Sequence, residues 1–212
     1  MQKIVVIDYG MSNLHSVCSA LAHAAKGQAE VVISQDSAEI ASADRVVFPG
    51  QGAAADCMQA LNQLNLASVI RKAASEKPFL GICMGMQVLL EQSEENDSTS
   101  CLGLYEGSVK SFRRHVDPQE KIKVPHMGWN AIQQKQEHPL WSGIPQDSYF
   151  YFVHSYFVQP TNSEYAIGRT DYGLEFASVI ASDNVFAMQC HPEKSASNGL
   201  RLLANFIQWR GA

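Results

Sequence analysis

Phe79-Leu80-Gly81-Ile82-Cys83-Met84-Gly85-Met86-Gln87 is the stretch on which the fold turns. Residues 79–82 form a run that is apolar on both faces, as in a strand covered from both sides. A helical pattern over 86–91 follows without a linker. A strand that enters a helix directly must bend sharply. Gly81 and Gly85, two before and two after Cys83, remove the side chains that would obstruct that bend. The form is G-x-C-x-G, a nucleophile elbow with sulfur in place of a serine hydroxyl. A helix starting at this point would aim free N–H groups and its positive dipole end at the sulfur. Such a field favours thiolate over a thiol whose ordinary pKa is about 8.5. The plainer reading, a buried structural cysteine between packing glycines, fits the strand–turn–helix context less well.

The same rhythm extends through the first half of the chain. Residues 4–7, 31–33 and 46–48 read as further strands. Residues 14–25 read as a helix with Leu14, Val17, Leu21 and Ala25 on one face. Helical patterns also cover 53–64 and 66–74. Strands alternating with helices predict a central, mostly parallel sheet flanked by helices. Beyond about residue 105 the pattern changes. Strands are expected at 109–112, 122–124, 149–153, 156–159, 165–168, 176–181 and 185–189, with few helical patterns between them, so extra antiparallel strands belong to the C-terminal half. A last helix is expected over 198–209, and loops at 94–100 and 117–119. No internal repeat, low-complexity tract or linker interrupts the chain. The expectation is one α/β domain over 1–212.

Composition narrows the function classes. With 212 residues, 46% hydrophobic and 17% charged, the chain is too apolar for a disordered protein and long enough to bury a core without a metal or disulfide staple. A net charge of −5 gives no field to gather nucleic acid or anionic lipid. The five cysteines, Cys18, Cys57, Cys83, Cys101 and Cys190, include no C-x-x-C pair, which points to a reducing compartment and no zinc site. The apolar run at 4–7 is shorter than the roughly 7–15 residues of a secretory signal. The apolar-rich stretch 79–90 falls short of the roughly 20 residues that span a bilayer. A soluble, cytoplasmic protein without metal or cofactor is expected.

A cysteine nucleophile needs a base, and His191 is the candidate. It lies in Gln189-Cys190-His191-Pro192-Glu193, just after an apolar run. Pro192 biases His191 towards extended geometry, and in an extended chain residues two apart point the same way. Glu193 is thus expected beside the imidazole, where a carboxylate fixes the tautomer and stabilises the protonated ring. Pro49-Gly50-Gln51-Gly52 follows the third strand, and its glycines allow backbone N–H groups close approach to a developing oxyanion. Gly50-x-Gly52-x-x-Ala55 also satisfies a loose dinucleotide fingerprint. That fingerprint belongs at the first strand–helix turn, with an acid about 20 residues further on at a strand end; here the corresponding region reads as helix.

A glycine-rich turn, a cysteine elbow and a C-terminal His-x-Glu, in that order, resemble the class I, triad-type glutamine amidotransferases over nearly the whole chain. Three further stretches narrow the resemblance: Lys123-Val124-Pro125-His126-Met127-Gly128-Trp129-Asn130, Tyr149-Phe150-Tyr151-Phe152-Val153-His154-Ser155-Tyr156 and His191-Pro192-Glu193-Lys194-Ser195. They look like a branch of glutaminase subunits of histidine biosynthesis that act in a heterodimer with a (β/α)8-barrel cyclase subunit. The resemblance implies a flavodoxin-like sheet and a Cys83, His191 and Glu193 triad acting on L-glutamine. Gly50 and Gly52 would line the glutamine and oxyanion site. Gln87, Glu95, Ser155 and Tyr156 match substrate contacts. Asn13, Met127, Trp129, Tyr151 and Lys194 match positions facing the partner or the ammonia exit.

Two positions depart from the family pattern: Gln51, where valine is more frequent, and Cys190, where an aromatic usually precedes the histidine. Neither departure removes a catalytic group. The rival members fit less well. A pyridoxal phosphate synthase glutaminase should lack Pro-His-Met-Gly-Trp-Asn. A DJ-1/PfpI-like protein would carry histidine, not Met84, after the cysteine. A non-catalytic binding module on the same fold would normally have lost a triad member.

Overall fold

The computed structural model of the protein describes residues 1–10 and 14–211. In chain order the first half contains β1 (Gln2–Ile7), α1 (Leu14–Ala25), β2 (Ala29–Ser34), α2 (Ser37–Ser42), β3 (Arg45–Gly50), α3 (Ala54–Gln63), α4 (Ala67–Glu76), β4 (Phe79–Cys83) and α5 (Met84–Gln87). The second half contains β5 (Leu90–Ser93), β6 (Thr99–Ser100), β7 (Tyr105–Ser111), α6 (Phe112–His115), β8 (His126–Gln134), β9 (Ser148–His154), β10 (Tyr156–Pro160), β11 (Gly168–Asp171), β12 (Glu175–Ser182), β13 (Val185–Met188) and α7 (Ala196–Gln208). Among the described residues no helix is long and apolar enough to cross a membrane.

The strands join in the order β2-β1-β3-β4-β13-β12-β10-β7-β5-β6, with β11 on β12, β8 on β11 and β9 on β8. The first five strands pair in parallel. From β13 to β12 the pairing turns antiparallel and stays largely so, as the change of rhythm near residue 105 predicts. Successive side chains of β1 divide between two cores. Val5 and Ile7 pack with Val46, Phe48, Leu61 and Ile70 under α3 and α4. Ile4 and Val6 pack with Val47, Leu80, Leu21, Leu202 and Phe206 under α1 and α7. The period of 2 along a strand, with helices on both faces, is why these strands read as unbroken apolar runs.

Arg45 opens β3 but is only 4% exposed. Its Nε donates to Phe206 O at 3.0 Å, and its Nη2 donates to Trp209 O. A cation thus meets the open carbonyl end of α7, where the helix dipole is negative. The last helix is thereby fixed to the start of the strand that delivers the glycine-rich turn.

Several local expectations need correction. Residues 86–91 are not one helix: α5 stops at Gln87 and β5 begins at Leu90. Met86, Val88, Leu89 and Leu90 are all buried, so the sequence offers no polar face to separate helix from strand. A one-turn α5 also has few aligned peptides, so the dipole expected behind Cys83 is small. Residues 122–124 form no strand; Ile122 and Val124 are apolar because they pack from a loop against the core cluster that contains Phe112. The expected strand at 165–168 starts only at Gly168, after a 3-10 turn over Ser163–Tyr165. The expected loop at 94–100 contains a 3-10 turn, Glu95–Asp97, and the short β6. Strand β8 and helix α2 have no counterpart among the expected elements.

The elbow glycines are required sterically. A Cβ on Gly85 would run into the Phe48 carbonyl oxygen, and one on Gly81 would sit 2.8 Å from Gly85 O. Gly85→Ala is expected to destabilise the fold by about 2–3 kcal/mol, the scale of overpacking a close-packed interior. Urea denaturation measures this, and an unchanged midpoint would contradict the packing described.

Candidate active site

Cys83 closes β4 with φ 55° and ψ −110°. Cysteine rarely adopts a positive φ, and such a conformation costs on the order of 1–3 kcal/mol, held by the surrounding packing. The bend turns the cysteine out of the sheet at the carboxyl ends of the parallel strands, where open α/β sheets bind ligands. β3 and β13, the two neighbours of β4, bring Gly50 and the 189–193 segment to the same end.

His191 and Glu193 meet there. His191 Nδ1 lies 2.8 Å from Glu193 Oε1, with side chains 10% and 5% exposed. The expected route differs in one respect: Pro192–Lys194 forms a 3-10 turn, so the turn, not an extended chain, brings the carboxylate to the ring. Nε2 is buried and has no hydrogen bond among the described residues, which leaves it to face Cys83. Burial works against a charged imidazole, but the Cys83 sulfur and Glu193 together outweigh it and push His191 up to about 10. The segment is clamped to β9. His191 N donates to Tyr151 O at 2.9 Å. The Ser195 hydroxyl donates to His191 O at 2.6 Å and accepts from Tyr151 N at 3.0 Å.

Cys83 and His191 share a cleft of about 450 Å³, also lined by Gln51, Gly52, Met84, Gln87, Glu95, His154, Ser155, Tyr156 and Lys194, in the size range of small-molecule sites. Of the residues singled out as substrate contacts, Gly52, Gln87, Glu95, Ser155 and Tyr156 therefore converge. Gly50 does not line this cleft. It borders a small recess with Glu193, and a Cβ there would meet the Tyr9 hydroxyl and sit 2.8 Å from Met84 Cβ. Its role in this arrangement is close packing against the elbow. Glu95 Oε2 accepts from Ala54 N at 2.7 Å, at the start of α3. Burial, with Asp56 nearby, nonetheless raises Glu95 above the usual carboxylate range. Gln87 Oε1 is buried and unpartnered among the described residues, an acceptor open to a ligand N–H.

The expected partner-facing residues lie on the outer side of the β8–β9 pair. Met127 is 62% and Trp129 52% exposed. The Trp129 and Tyr151 rings meet edge-on at 6.1 Å, and Lys194 Nζ stands 5.9 Å over the Tyr151 ring. Asn13 lies outside the described residues. Exposed apolar and aromatic groups gathered in this way mark an interaction surface.

Four contributors were missed in the sequence. Gln189, fully buried, donates from Nε2 to Cys83 Sγ at 3.6 Å. Alternation along an extended chain would have placed it on the side of His191. Buried His126 and His154 join through Nδ1 and Nε2 at 2.9 Å, and His154 Nδ1 lies 2.7 Å from Tyr156 O. Nothing in PHMGWN or VHSY distinguishes such a pair from surface histidines. Ser195 looked like the end of a motif and is the clamp described above. Cys190, a departure from the family pattern, is buried in the core cluster that also holds Met188 and Ile207, and burial raises its thiol well above the usual range. It does not line the cleft.

The class-I glutamine amidotransferase family matches residues 5–209. The imidazole glycerol phosphate synthase subunit HisH 1 of Pseudomonas aeruginosa is 50% identical over 212 residues, covering 100% of this chain and 99% of that protein. The imidazole glycerol phosphate synthase subunit HisH of Hydrogenovibrio crunogenus is 52% identical over 211 residues, covering 99% and 98%. A crystal structure of a glutamine amidotransferase superposes with a TM-score of 0.71 at 14% identity, over 96% of this chain and 97% of that one, a likeness of fold.

Burial lowers His126 and His138 to about 4 and His154 to about 3. These rings stay neutral in the fold and take protons on unfolding. Their contribution to stability is whole above the unfolded pKa of about 6.5 and is lost as pH falls towards the folded values. His191 runs the other way: its contribution is whole below about pH 6.5 and is lost as pH rises through its folded value. The urea midpoint is therefore expected to fall between about pH 6.5 and 4.5, before most carboxylates titrate. A flat profile across that window would contradict neutral burial.

Proposed function

The chain belongs to the class-I glutamine amidotransferases, and from that premise we propose that it is the glutaminase subunit of an imidazole glycerol phosphate synthase, a HisH protein that releases ammonia from L-glutamine for a (β/α)8-barrel cyclase subunit. The observation that carries the reading is the His191–Glu193 hydrogen bond, which holds from behind the imidazole that lines the same cleft as the strained Cys83.

The Cys83 thiolate attacks the side-chain carboxamide carbon of glutamine. Backbone N–H groups near Gly52 and Met84 stabilise the tetrahedral oxyanion. His191, protonated and held by Glu193, gives its proton to the departing amine. The C–N bond breaks, ammonia leaves and a thioester remains on Cys83. The same imidazole, now neutral, takes a proton from water as it attacks the thioester. Glutamate departs and the sulfur recovers its electron pair. Gln87 Oε1 and Glu95 are placed for the ammonium end of the substrate, and Ser155 and Tyr156 offer backbone to its other end.

Ammonia set free in bulk water near neutral pH becomes mostly ammonium, which is not a nucleophile. That is the physical reason for a docked partner and a sealed exit. Met127, Trp129, Tyr151 and Lys194 form the face towards the cyclase subunit. Because Tyr151 backbone atoms hold His191 and Ser195, docking on that face bears directly on the triad. The compartment of this synthesis is the cytoplasm.

Mixed with the cyclase subunit, the chain is expected to support imidazole glycerol phosphate formation from either glutamine or ammonium salt. Cys83→Ala should abolish only the glutamine-dependent reaction, and equal loss with both donors would contradict the assigned role. The isolated chain is expected to release glutamate at least tenfold more slowly than the complex. Glutamate release at the full rate without the partner would contradict coupling through the docked face.

A further inference from the structure

Beyond the triad, we infer that Gln189 is the hydrogen-bond donor that holds the Cys83 sulfur, with its amide locked in that direction by the carbonyl of Tyr156. The inference rests on the reading of Cys83 as the nucleophile. Gln189 is fully buried, and its Nε2 stands 3.6 Å from Cys83 Sγ. The two ends of an amide are nearly the same in shape, so its direction follows from its partners.

Tyr156 O can only accept. It receives Gln87 Nε2 at 3.2 Å, which fixes the Gln87 amide. The same Nε2 lies 2.9 Å from the Gln189 side-chain oxygen. Turning Gln189 would set two NH2 groups against each other at that distance, with no acceptor between them. The oxygen of Gln189 therefore faces Gln87, and its NH2 faces the sulfur.

A second chain reaches the same carbonyl from the other side. His154 Nδ1 must donate to Tyr156 O, so in the neutral ring Nε2 accepts from His126 Nδ1. His126 Nε2 in turn accepts from Asn130 Nδ2 at 3.3 Å. Tyr156 O thus receives two donors and is filled.

An N–H donor favours charged sulfur over neutral thiol. Its effect is greatest where the sulfur carries most charge: in the resting thiolate, and again when the C–S bond of the thioester breaks and the electron pair returns to sulfur. It contributes least in the thioester itself. Gln189 thus supports sulfur as nucleophile before attack and as leaving group in the hydrolytic step.

The test follows iodoacetamide modification of the Cys83 peptide in the full chain across pH, with Cys18 as internal reference. Gln189→Met removes the donor at similar volume; Gln189→Asn keeps an amide too short to span Gln87 and the sulfur. Other titratable groups acting at Cys83 are His191, Tyr9 and Cys190, with Glu193 behind His191, and both variants leave them in place. Each variant is expected to raise the Cys83 alkylation midpoint by about one pH unit, roughly tenfold less thiolate below it, with Cys18 unmoved. A merely structural role would lower thermal stability and leave the Cys83 midpoint unchanged. That result, in either variant that folds, overturns the assignment. If excess glutamine gives Cys83 of the parent chain no protection, the nucleophile reading fails first, and this assignment with it.

Discussion

The site depends on a backbone constraint: a cysteine kept at positive φ where a buried strand ends and a one-turn helix begins. Nothing in cysteine itself favours that conformation. It persists because β3 crowds Gly85 through the Phe48 carbonyl, while Gly81 is hemmed in by Gly85 itself and by Ala187 of β13, so that neither glycine has room for a methyl group. The pairing of Phe48 with Gly81 and of Gly50 with Cys83 in parallel register brings the glycine-rich turn alongside the sulfur. Pairing of β13 with β4 on the other side brings Gln189 and His191 to the same level. Three neighbouring strands thereby bring the glycine-rich turn, Cys83 and His191 to one end of the sheet without any long loop having to order itself.

Around this constraint run two chains of polar groups that share one acceptor, Tyr156 O. Donation passes from Asn130 through His126 and His154 to Tyr156 O, and from Gln87 through Gln189 to the Cys83 sulfur. Each link in a low-dielectric interior would be costly if broken, so the network resists partial disorder. The first chain begins on β8, the strand whose other face exposes Met127 and Trp129, and the second ends at the Cys83 sulfur; they meet at Tyr156 O, which accepts from both. The second connection, Tyr151 backbone to His191 and Ser195, starts from the same surface. A partner pressing on β8 and β9 would thus reach both His191 and the Tyr156 carbonyl through hydrogen bonds already made.

Much of this was legible because chemistry and geometry leave separate marks. Gly81 and Gly85 around Cys83 could be read because the bend forbids side chains. The parallel core could be read because strands buried on both faces lose their polar alternation. The end of α5 was hidden by the same burial, since Met86 through Leu90 are all buried, Gln87 included, whatever their backbone does. Ile122 and Val124 mimicked a strand while packing from a loop against the core. Glu193 was assigned correctly beside His191 for a reason that needed revision, a 3-10 turn in place of an extended strand. Gln189 and the His126–His154 pair stayed hidden because their significance lies in partners about 100 and 28 positions away, a relation that spacing cannot express.

The most direct measurement exposes the complex with the cyclase subunit to a glutamine-analogue alkylating agent and maps the adduct by peptide mass. One equivalent on Cys83, suppressed by excess glutamine and strongly slowed in a His191→Ala chain, is the predicted result. An unreactive Cys83, or label distributed over Cys18 and Cys101 with no effect of glutamine, would contradict a poised sulfur served by that imidazole.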